Sequence, residues 1–313
     1  MRNENKVKKK MAKWKKYTLL TFGILFLAVG SYIGYTIYNV NKTLSTVHQP
    51  IDREFSEKRQ DKVDFTTKEP FSVLLIGLDK EEGNIEKGRS DSLIVLTVNP
   101  NEKSMKMVSI PRDTRTLIVG RGTEDKINHA HAFGGVEMSI PTVENFLDIP
   151  IDYYVKLNMQ GFKDIVDAVG GVEVNNSFAF SQSGFTFPEG KVSLNGTEAL
   201  AFSRMRKQDP RGDFGRTDRQ KQIVQAIIKK GASFSGITNL DSILSAIGQN
   251  VTTNLSTSEM LDIQKNYKEA INDLETLQIS GSGTMINSIY YFSVPEEERL
   301  RVSNVFKDHL DIN

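Results

Sequence analysis

The sequence predicts an α/β fold: a three-layer α-β-α sandwich with a central mixed sheet, preceded by one N-terminal transmembrane helix. Three observations lead to this prediction. Residues 17–41 contain no charged side chain. Continuous apolar runs at 71–79, 92–98 and 105–110 are typical of strands buried on both faces. Further along the chain, strand-like and helix-like patterns alternate, which indicates a sheet covered by helices.

The N-terminal region has the charge pattern of a membrane anchor. Residues 1–16 carry eight basic side chains against one glutamate, and the uncharged segment after them has 25 residues. About 20 apolar residues suffice to span a bilayer as a helix, and a basic flank on one side places that side in the cytoplasm. A cleaved signal peptide is the alternative, but the segment is longer than a usual signal core and no small-x-small site follows it. We therefore predict a cytoplasmic tail, a signal-anchor at 17–41 and a single-pass type II protein of the cell membrane with an extracellular domain.

The rest of the chain is predicted to hold a stalk and one folded domain. Residues 42–70 are polar and charged, which favours a juxtamembrane stalk that ends at Pro70. The folded domain is then expected over 71–313. Zero cysteines in 313 residues fits an exported protein that does not rely on disulfides. Beyond the first three strands, the patterns predict a strand at 151–157, helices at 136–147, 159–169, 194–204, 215–230, 256–272 and 295–310, and a hairpin at 276–294.

Residues 204–222, RMRKQDPRGDFGRTDRQKQ, are unusually rich in arginine for a chain with a net charge of only +1. Arginine presents a planar fork of donors that fits phosphate or carboxylate oxygens two at a time. Arg204 and Arg206 would project to one side if 202–206 is extended. Arg216 and Gln220 share a helix face that leads toward apolar residues, and a helix N-terminus favours anions. The stretch thus predicts either an anion site or an internal network with Asp209, Asp213 and Asp218, and both remain open.

Two carboxylates lie where predicted strands meet loops. Asp79 follows LLIGL and Asp91 precedes SLIVL. Ligands collect at strand ends in α/β sheets, and paired carboxylates suit a hard ion such as Mg²⁺ shared with substrate phosphates. Turn or cap aspartates are the alternative.

His129 and His131 are two residues apart on a predicted helix, so they face apart and are expected to be structural.

Seven segments, taken in order, resemble the motifs of the LytR-CpsA-Psr family over roughly residues 71–231. They read FSVLLIGLD, RSDSLIVLTVNP, MVSIPRDT, DKINHAHAFGG, VDAVGGVEV, LNGTEALAFSRMR and DFGRTDRQKQ. The resemblance implies a membrane-anchored phosphotransferase, whose catalytic domain would span 71–313 with its motif core at 71–231. The enzyme would move an anionic glycopolymer, with wall teichoic acid expected, from an undecaprenyl-pyrophosphate carrier to the C6 hydroxyl of N-acetylmuramic acid in peptidoglycan. Alternatives are the same chemistry on capsule or another secondary wall polysaccharide, or a regulator that only binds or hydrolyses polyprenyl pyrophosphates.

The resemblance also implies roles for individual residues. Asp79 and Asp91 match the metal-associated aspartates, with Mg²⁺ or else Mn²⁺ as the ion. The side chains that match the pyrophosphate-binding positions are Arg112, Arg204, Arg206, Arg216 and Gln220. Three further arginines in or beside matching motifs have less defined roles: Arg89, Arg115 and Arg219. The two aspartates and Arg112, Arg204, Arg206 and Arg216 are expected to be catalytic, and Asp79, Asp91 or Asp213 could act as the base.

Nucleic acids and nucleotides are not expected as partners. The predicted cytoplasmic part is about 16 residues and holds no helix-turn-helix, so its basic run fits anionic lipid headgroups better than DNA. GLDKEEG lacks the Gly-Lys-Ser/Thr end of a P-loop, so no nucleotide cofactor is predicted.

Overall fold

The structure, a computed structural model, describes residues 47–80, 88–233 and 250–312. The strands in these residues are β1 (Phe71–Leu78), β2 (Ser90–Asn99), β3 (Ser104–Ile110), β4 (Arg115–Ile118), β5 (Thr123–Lys126), β6 (Tyr153–Leu157), β7 (Val172–Asn176), β8 (Phe180–Gln182), β9 (Phe185–Phe187), β10 (Gly190–Leu194), β11 (Val251–Thr253), β12 (Asp273–Leu277), β13 (Ser282–Ile286) and β14 (Ile289–Ser293). The α-helices are α1 (His129–Leu147), α2 (Met159–Ala168), α3 (Gly196–Arg204), α4 (Asp213–Ser233), α5 (Thr257–Asn266) and α6 (Glu296–His309), and a 3₁₀ helix spans Lys268–Asn272.

A six-stranded sheet in the order β11-β6-β1-β2-β3-β12 forms the centre of the fold. Strand β1 runs parallel to β6 and antiparallel to β2, while β3 runs antiparallel to β2 and parallel to β12. The sheet is therefore mixed, which confirms the predicted fold class. The three apolar runs of the sequence analysis coincide with β1, β2 and β3.

Helices cover both faces of this sheet. Alternate residues of β1 point to opposite sides, so Leu74 and Ile76 belong to one apolar cluster and Val73 to another. The first cluster contains side chains of α1 and α6, among them Ile140 and Phe306. The second contains an aromatic group and is flanked by partly buried residues of α4 and α5. A third cluster joins α2, α3 and α4 to the small strands β7–β10.

The helix predicted at 256–272 is wrong in its second half. Helix α5 ends at Asn266, a 3₁₀ turn follows, and residues 273–277 form β12 at the edge of the central sheet. The change of direction buries Tyr267 and Ala270, and the Tyr267 hydroxyl donates a hydrogen bond of 2.7 Å to the carbonyl of Glu69. The hairpin predicted at 276–294 is shorter in the structure, because β13 and β14 form it and residues 276–277 belong to β12.

Residues 47–70, which the sequence predicts as part of a stalk, pack against the domain. Arg59 donates hydrogen bonds to both carboxylate oxygens of Asp152, at 2.5 and 2.9 Å. Arg53 makes the same kind of two-point contact with Glu144, at 2.7 and 2.9 Å. Phe65 is buried in the second apolar cluster. The folded domain therefore begins no later than residue 47, and not at residue 71.

The predicted anchor at 17–41 and the predicted tail at 1–16 lie outside the described residues. Within the part that is described, no helix combines the length and the apolar character needed to span a bilayer.

The buried His309 predicts a loss of stability in mild acid. Its ring nitrogens lie 2.7 Å from Thr97 Oγ1 and 2.9 Å from Ser104 Oγ, and burial lowers the pKa of His309 to about 4. An unfolded chain binds this proton near pH 6.5, so the folded state loses stability as the pH falls from 6.5 toward 4. At about 1.4 kcal/mol per pH unit, the loss is about 3 kcal/mol.

Urea unfolding between pH 7.5 and 4.5 measures this effect. The matched control is His309→Gln, which keeps a polar side chain at this site but cannot take up a proton there. The other titrating groups are the same in both proteins. The free energy of unfolding of the wild type should therefore fall by about 2 to 3 kcal/mol more than that of the variant over this pH range. Equal losses in the two proteins would contradict the assignment of the effect to His309.

Candidate functional site

A cavity of about 310 Å³ opens where β1, β2 and β6 end beside α3 and α4. We call it the first cavity. Its charged and amide lining contains most of the site residues that the sequence predicts, namely Asp79, Asp91, Arg112, Arg204, Arg216 and Gln220. Ligands of α/β sheets collect at such strand ends, so the location agrees with the expectation from the sequence.

An irregularity in the β1–β2 ladder sets the position of Asp91. Gly77 pairs with Ser92 and Leu78 pairs with Ser90, so Asp91 is the extra residue of a bulge. Bulges bend a strand and redirect a side chain, and they are common beside active sites. Asp91 leaves the ladder and accepts a hydrogen bond of 3.0 Å from Arg112 Nη1. Asp79 follows β1 on the neighbouring strand, so both carboxylates line the same cavity.

Arg112 lies in the loop after β3 and faces several carboxylates. Burial by itself lowers its pKa, but the negative charges of Asp91, Asp213 and Asp113 outweigh this effect and raise the pKa of Arg112 overall. The Arg112 guanidinium therefore stays charged beside the cavity. The oxygens of a bound anion could take the place of the aspartate carboxylates as its hydrogen-bond acceptors.

Arg216 and Gln220 project from the first turns of α4, four residues apart as predicted. Arg216 Nη2 lies 2.7 Å from Asp213 Oδ1, and Gln220 Oε1 accepts a hydrogen bond of 3.2 Å from Ser92. Only 14% of the Arg216 side chain is exposed, and its Nε has no hydrogen-bond partner among the described residues. Burial lowers the pKa of Arg216. An anion in the first cavity would offset this cost of burial, and the N-terminus of α4 would add its own partial positive charge.

Arg204 and Arg206 separate in the structure, because residues 202–206 are not extended throughout, which was the condition for both side chains to project to one side. Helix α3 continues to Arg204, and the next residue, Met205, is extended and buried. Arg204 lines the first cavity with its Nη2 3.8 Å from Asp79 Oδ1. Arg206 lines a neighbouring cavity instead, with its Nε 3.6 Å from Asp213 Oδ1.

The N-terminal cap of α3 helps to fix Arg204 in place. The Asn195 side chain accepts a hydrogen bond from the backbone N–H of Glu198, and the Glu198 side chain accepts one from the N–H of Asn195, both at 2.9 Å. This reciprocal capping box, with Asn195 as the cap, stabilises the first turn of the helix.

The three arginines with less defined roles do not line the first cavity. Arg219 is buried, and its Nη1 donates a hydrogen bond of 2.6 Å to Asp209. Arg115 lies on β4 and pairs with Glu124 at the surface. Arg89 is exposed just before β2. For Arg219 the internal ion-pair network is therefore the correct interpretation, whereas Arg204 and Arg216 of the same basic stretch face the cavity.

The first cavity also has an apolar lining, whose side chains the sequence analysis did not identify. It includes Leu75, Ile94, Leu157, Phe162, Leu200 and Val224. These residues come from β1, β2, β6, α2, α3 and α4, so no local sequence pattern connects them. The cavity thus combines cationic and apolar side chains in one lining.

The two histidines keep the structural role that was expected of them. His129 Nδ1 lies 2.9 Å from Asp125 Oδ2, and the fully buried His131 lies with its Nδ1 2.8 Å from the carbonyl of Gly88. Burial lowers the pKa of His131, which favours its neutral form. Neither ring lines the first cavity.

Two carboxylates of the first cavity, Asp79 and Asp91, are the candidate ligands for a metal ion. No group of three or more His, Cys, Asp or Glu side chains that could hold a metal occurs in the described part of the chain. Mg²⁺ commonly binds through one or two carboxylates, with water and substrate phosphates completing the shell. Asp79 and Asp91 fit that mode, since Asp79 is half exposed and, within the described part of the chain, its ion pair with Arg204 is as long as 3.8 Å.

Known proteins resemble the chain over almost its whole length. The polyisoprenyl-teichoic acid–peptidoglycan teichoic acid transferase TagU of Halalkalibacterium halodurans is 54% identical over 304 residues, which is 95% of this chain and 100% of that protein. The crystal structure of TagU from Bacillus subtilis is 48% identical, covers 79% of this chain and 99% of its own, and has a TM-score of 0.64. A structure of TagT bound to LI-WTA is 33% identical, covers 85% and 100%, and has a TM-score of 0.72.

The sequence model of one family matches residues 34–308, and this range includes every site residue named above. Because the match spans most of the chain, and relatives about half identical cover the same range, the protein belongs to the LytR_cpsA_psr family.

Proposed function

We propose that the protein transfers wall teichoic acid from an undecaprenyl-pyrophosphate carrier to the C6 hydroxyl of N-acetylmuramic acid in peptidoglycan. The observation that carries the proposal is the first cavity, whose lining combines arginines with apolar side chains. A polyprenyl pyrophosphate has the same two parts. The name of the TagU relative, a teichoic acid–peptidoglycan transferase, supports the choice of donor and acceptor.

The transfer reaction exchanges one phosphorus–oxygen bond for another. The acceptor hydroxyl oxygen forms a bond to the phosphorus that carries the glycopolymer, and the bond from that phosphorus to the bridging oxygen of the pyrophosphate breaks. Undecaprenyl phosphate leaves with the bond electrons, and the hydroxyl proton passes to a base. Phosphoryl transfer depends mainly on positioning and charge neutralisation, which Arg112, Arg204 and Arg216 would supply.

Mg²⁺ is part of this proposal, with Asp79 and Asp91 as its protein ligands and Mn²⁺ as an alternative ion. The ion would neutralise charge on the pyrophosphate oxygens. Of the three candidate bases, Asp91 and Asp213 each lie within 3.0 Å of an arginine nitrogen, whereas the ion pair of Asp79 among the described residues is longer, at 3.8 Å to Arg204. Asp79 is therefore the best placed of the three to accept a metal ion or a proton.

We also propose that residues 17–41 anchor the enzyme in the cell membrane as a single-pass type II protein with its domain outside the cell. The uncharged segment and its basic N-terminal flank support the orientation. An anchored domain would stay close to a lipid-linked donor.

A reconstituted transfer reaction tests the proposal. The full chain is given a lipid-pyrophosphate disaccharide and a peptidoglycan oligomer, with and without Mg²⁺. We expect labelled glycan joined to the oligomer and an equal amount of lipid monophosphate. Lipid monophosphate without joined glycan would indicate a hydrolase, and tight lipid binding without any product would indicate a carrier-binding regulator. Capsular or other wall polysaccharide donors, compared in parallel, test the choice of polymer.

The metal assignment has its own expected result. Asp79→Asn and Asp91→Asn should each raise the Mg²⁺ concentration for half-maximal transfer by about tenfold or more, because each removes a charged ligand. Asp148→Asn is the matched control, since Asp148 pairs with Lys58 at the surface and does not line the first cavity. An unchanged Mg²⁺ dependence in both ligand variants would contradict the assignment.

A further inference from the structure

A second cavity, of about 230 Å³, adjoins the first along helix α4. Helix α4 lines the first cavity with Arg216 and Gln220, and it lines the second with Phe214 and Thr217 on the neighbouring face. Asp213 belongs to the lining of the second cavity, and its Oδ1 lies 2.7 Å from Arg216 in the first. The two cavities therefore meet at this ion pair.

Aromatic rings and polar side chains line the second cavity together. Phe214 and Phe292 lie edge to face with ring centroids 5.9 Å apart, and Tyr290 lies on the same wall. Phe214 is 40% exposed and Tyr290 46%, so both rings present surface that no other part of the domain covers. Asp113, Asp218 and Gln278 are further lining residues. A pyranose ring has an apolar C–H face and a rim of hydroxyls, and this lining matches both features.

The charges of the second cavity favour a neutral glycan over a polymer of phosphates. Its lining holds three aspartates and two cations, and one of those cations, Lys221, is paired at 3.0 Å with Asp218. An anionic polymer would meet the three carboxylates of Asp113, Asp213 and Asp218, which is unfavourable. The first cavity, in contrast, gathers arginines.

The geometry of phosphoryl transfer leads to the same occupant. The attacking and leaving oxygens lie roughly in line on opposite sides of the phosphorus. In the proposed reaction the leaving group is the lipid phosphate, whose chain would lie along the apolar lining of the first cavity. The attacking hydroxyl would approach the phosphorus from the side away from the lipid phosphate, and the second cavity meets the first at the ion pair of Asp213 and Arg216.

We propose that the second cavity binds the acceptor, by stacking Phe214 and Tyr290 against the sugar that carries the attacking hydroxyl. This inference rests on the proposed function and adds the acceptor site to it. Arg206 and Asp213, at the border of the two cavities, would then lie beside the hydroxyl and the phosphorus.

Steady-state kinetics of the full chain separate acceptor binding from donor binding. For Phe214→Ala and Tyr290→Ala, we expect the KM for a peptidoglycan oligomer to rise about tenfold or more, while the KM for the lipid donor changes less than about twofold. Tyr290→Phe keeps the ring and should behave like the wild type. Met285→Ala is the matched control, because Met285 lies on the same hairpin, is 63% exposed and does not line the cavity. Thermal unfolding of each variant checks the fold.

A binding measurement without donor keeps this inference separate from the proposed function. The disaccharide of N-acetylglucosamine and N-acetylmuramic acid, with its lactyl carboxylate converted to an amide as in peptidoglycan, is titrated into the full chain and followed by saturation-transfer NMR. We expect contact with the wild type and a clear loss of contact with Tyr290→Ala. If the wild type binds the disaccharide in this way but transfers nothing, the acceptor site stands and the proposed function fails. A rise in the donor KM alone, or no change in either KM, would overturn the acceptor site.

Discussion

Replacing Arg112 with alanine is expected to lower kcat/KM for glycopolymer transfer by about 10²- to 10³-fold, the usual cost of losing one donor that stabilises transition-state charge. Arg112 lines the first cavity and lies 3.0 Å from Asp91, with three aspartates raising its pKa. A quarter of each side chain of this pair is exposed, so water can solvate Asp91 when the arginine is removed. The variant should therefore unfold at nearly the same temperature as the wild type.

Arg115→Ala is the matched control, because Arg115 lies three residues further along the same segment. It is 37% exposed and pairs with Glu124 on the hairpin of β4 and β5. Exposed pairs contribute about 0 to 1 kcal/mol, so both stability and transfer should stay close to wild type. Arg112→Lys should recover only part of the rate, since an ammonium group cannot bind two phosphate oxygens as a planar fork does. Wild-type transfer by Arg112→Ala would show that this arginine does not act on the substrate.

Much of the fold is predictable because its central strands are buried on both sides. Strands β1, β2 and β3 are continuous apolar runs, and such runs are typical of a covered sheet. The prediction failed at residues 267–277, where tertiary contacts decide the structure. Tyr267 turns inward to bond the carbonyl of Glu69, and β12 is short, polar and placed by its pairing with β3.

The charged half of the site is predictable for a different reason. Asp79, Asp91 and Arg112 lie at strand ends, and Arg216 lies at a helix N-terminus, so topology alone brings them together. The apolar half was not predictable, since six separate elements each contribute a side chain. The sequence did not decide the role of a second arginine on this helix, Arg219, because only the packing of Asp209 shows that Arg219 is buried in an ion pair.

Replacing that second arginine, Arg219, with alanine is expected to lower the free energy of unfolding by about 3 to 5 kcal/mol, which is typical when one partner of a buried ion pair is removed. The Asp209 carboxylate is fully buried and accepts a hydrogen bond of 2.6 Å from Arg219 Nη1. Arg219 Nη2 also donates a hydrogen bond of 2.6 Å to the carbonyl of Met205. The alanine variant would leave a buried carboxylate without its main counter-charge. Urea unfolding measures the loss.

Two neighbouring arginines provide controls for this prediction. Arg211 is about half exposed and contacts Asp209 only at 3.6 Å, so Arg211→Ala should cost less than about 1 kcal/mol. Arg216→Ala should lose transfer activity while it keeps most of its stability, because Asp213, its partner, is partly exposed. Two arginines three residues apart on α4 should thus have different effects. Arg219→Ala should lower stability, and Arg216→Ala should lower transfer activity.

A double-mutant cycle decides whether Arg219 acts through Asp209. If it does, the loss in the Asp209→Ala, Arg219→Ala double variant should be smaller than the sum of the two single losses by about 0.5 to 3 kcal/mol, because the double variant leaves no buried charge unpaired. The carboxylate also occupies the space beside Gly215, where an added Cβ would lie 1.7 Å from Asp209 Oδ2. Gly215→Ala should therefore displace Asp209 and reproduce part of the same loss. Strictly additive losses would show that Arg219 does not compensate the charge of Asp209.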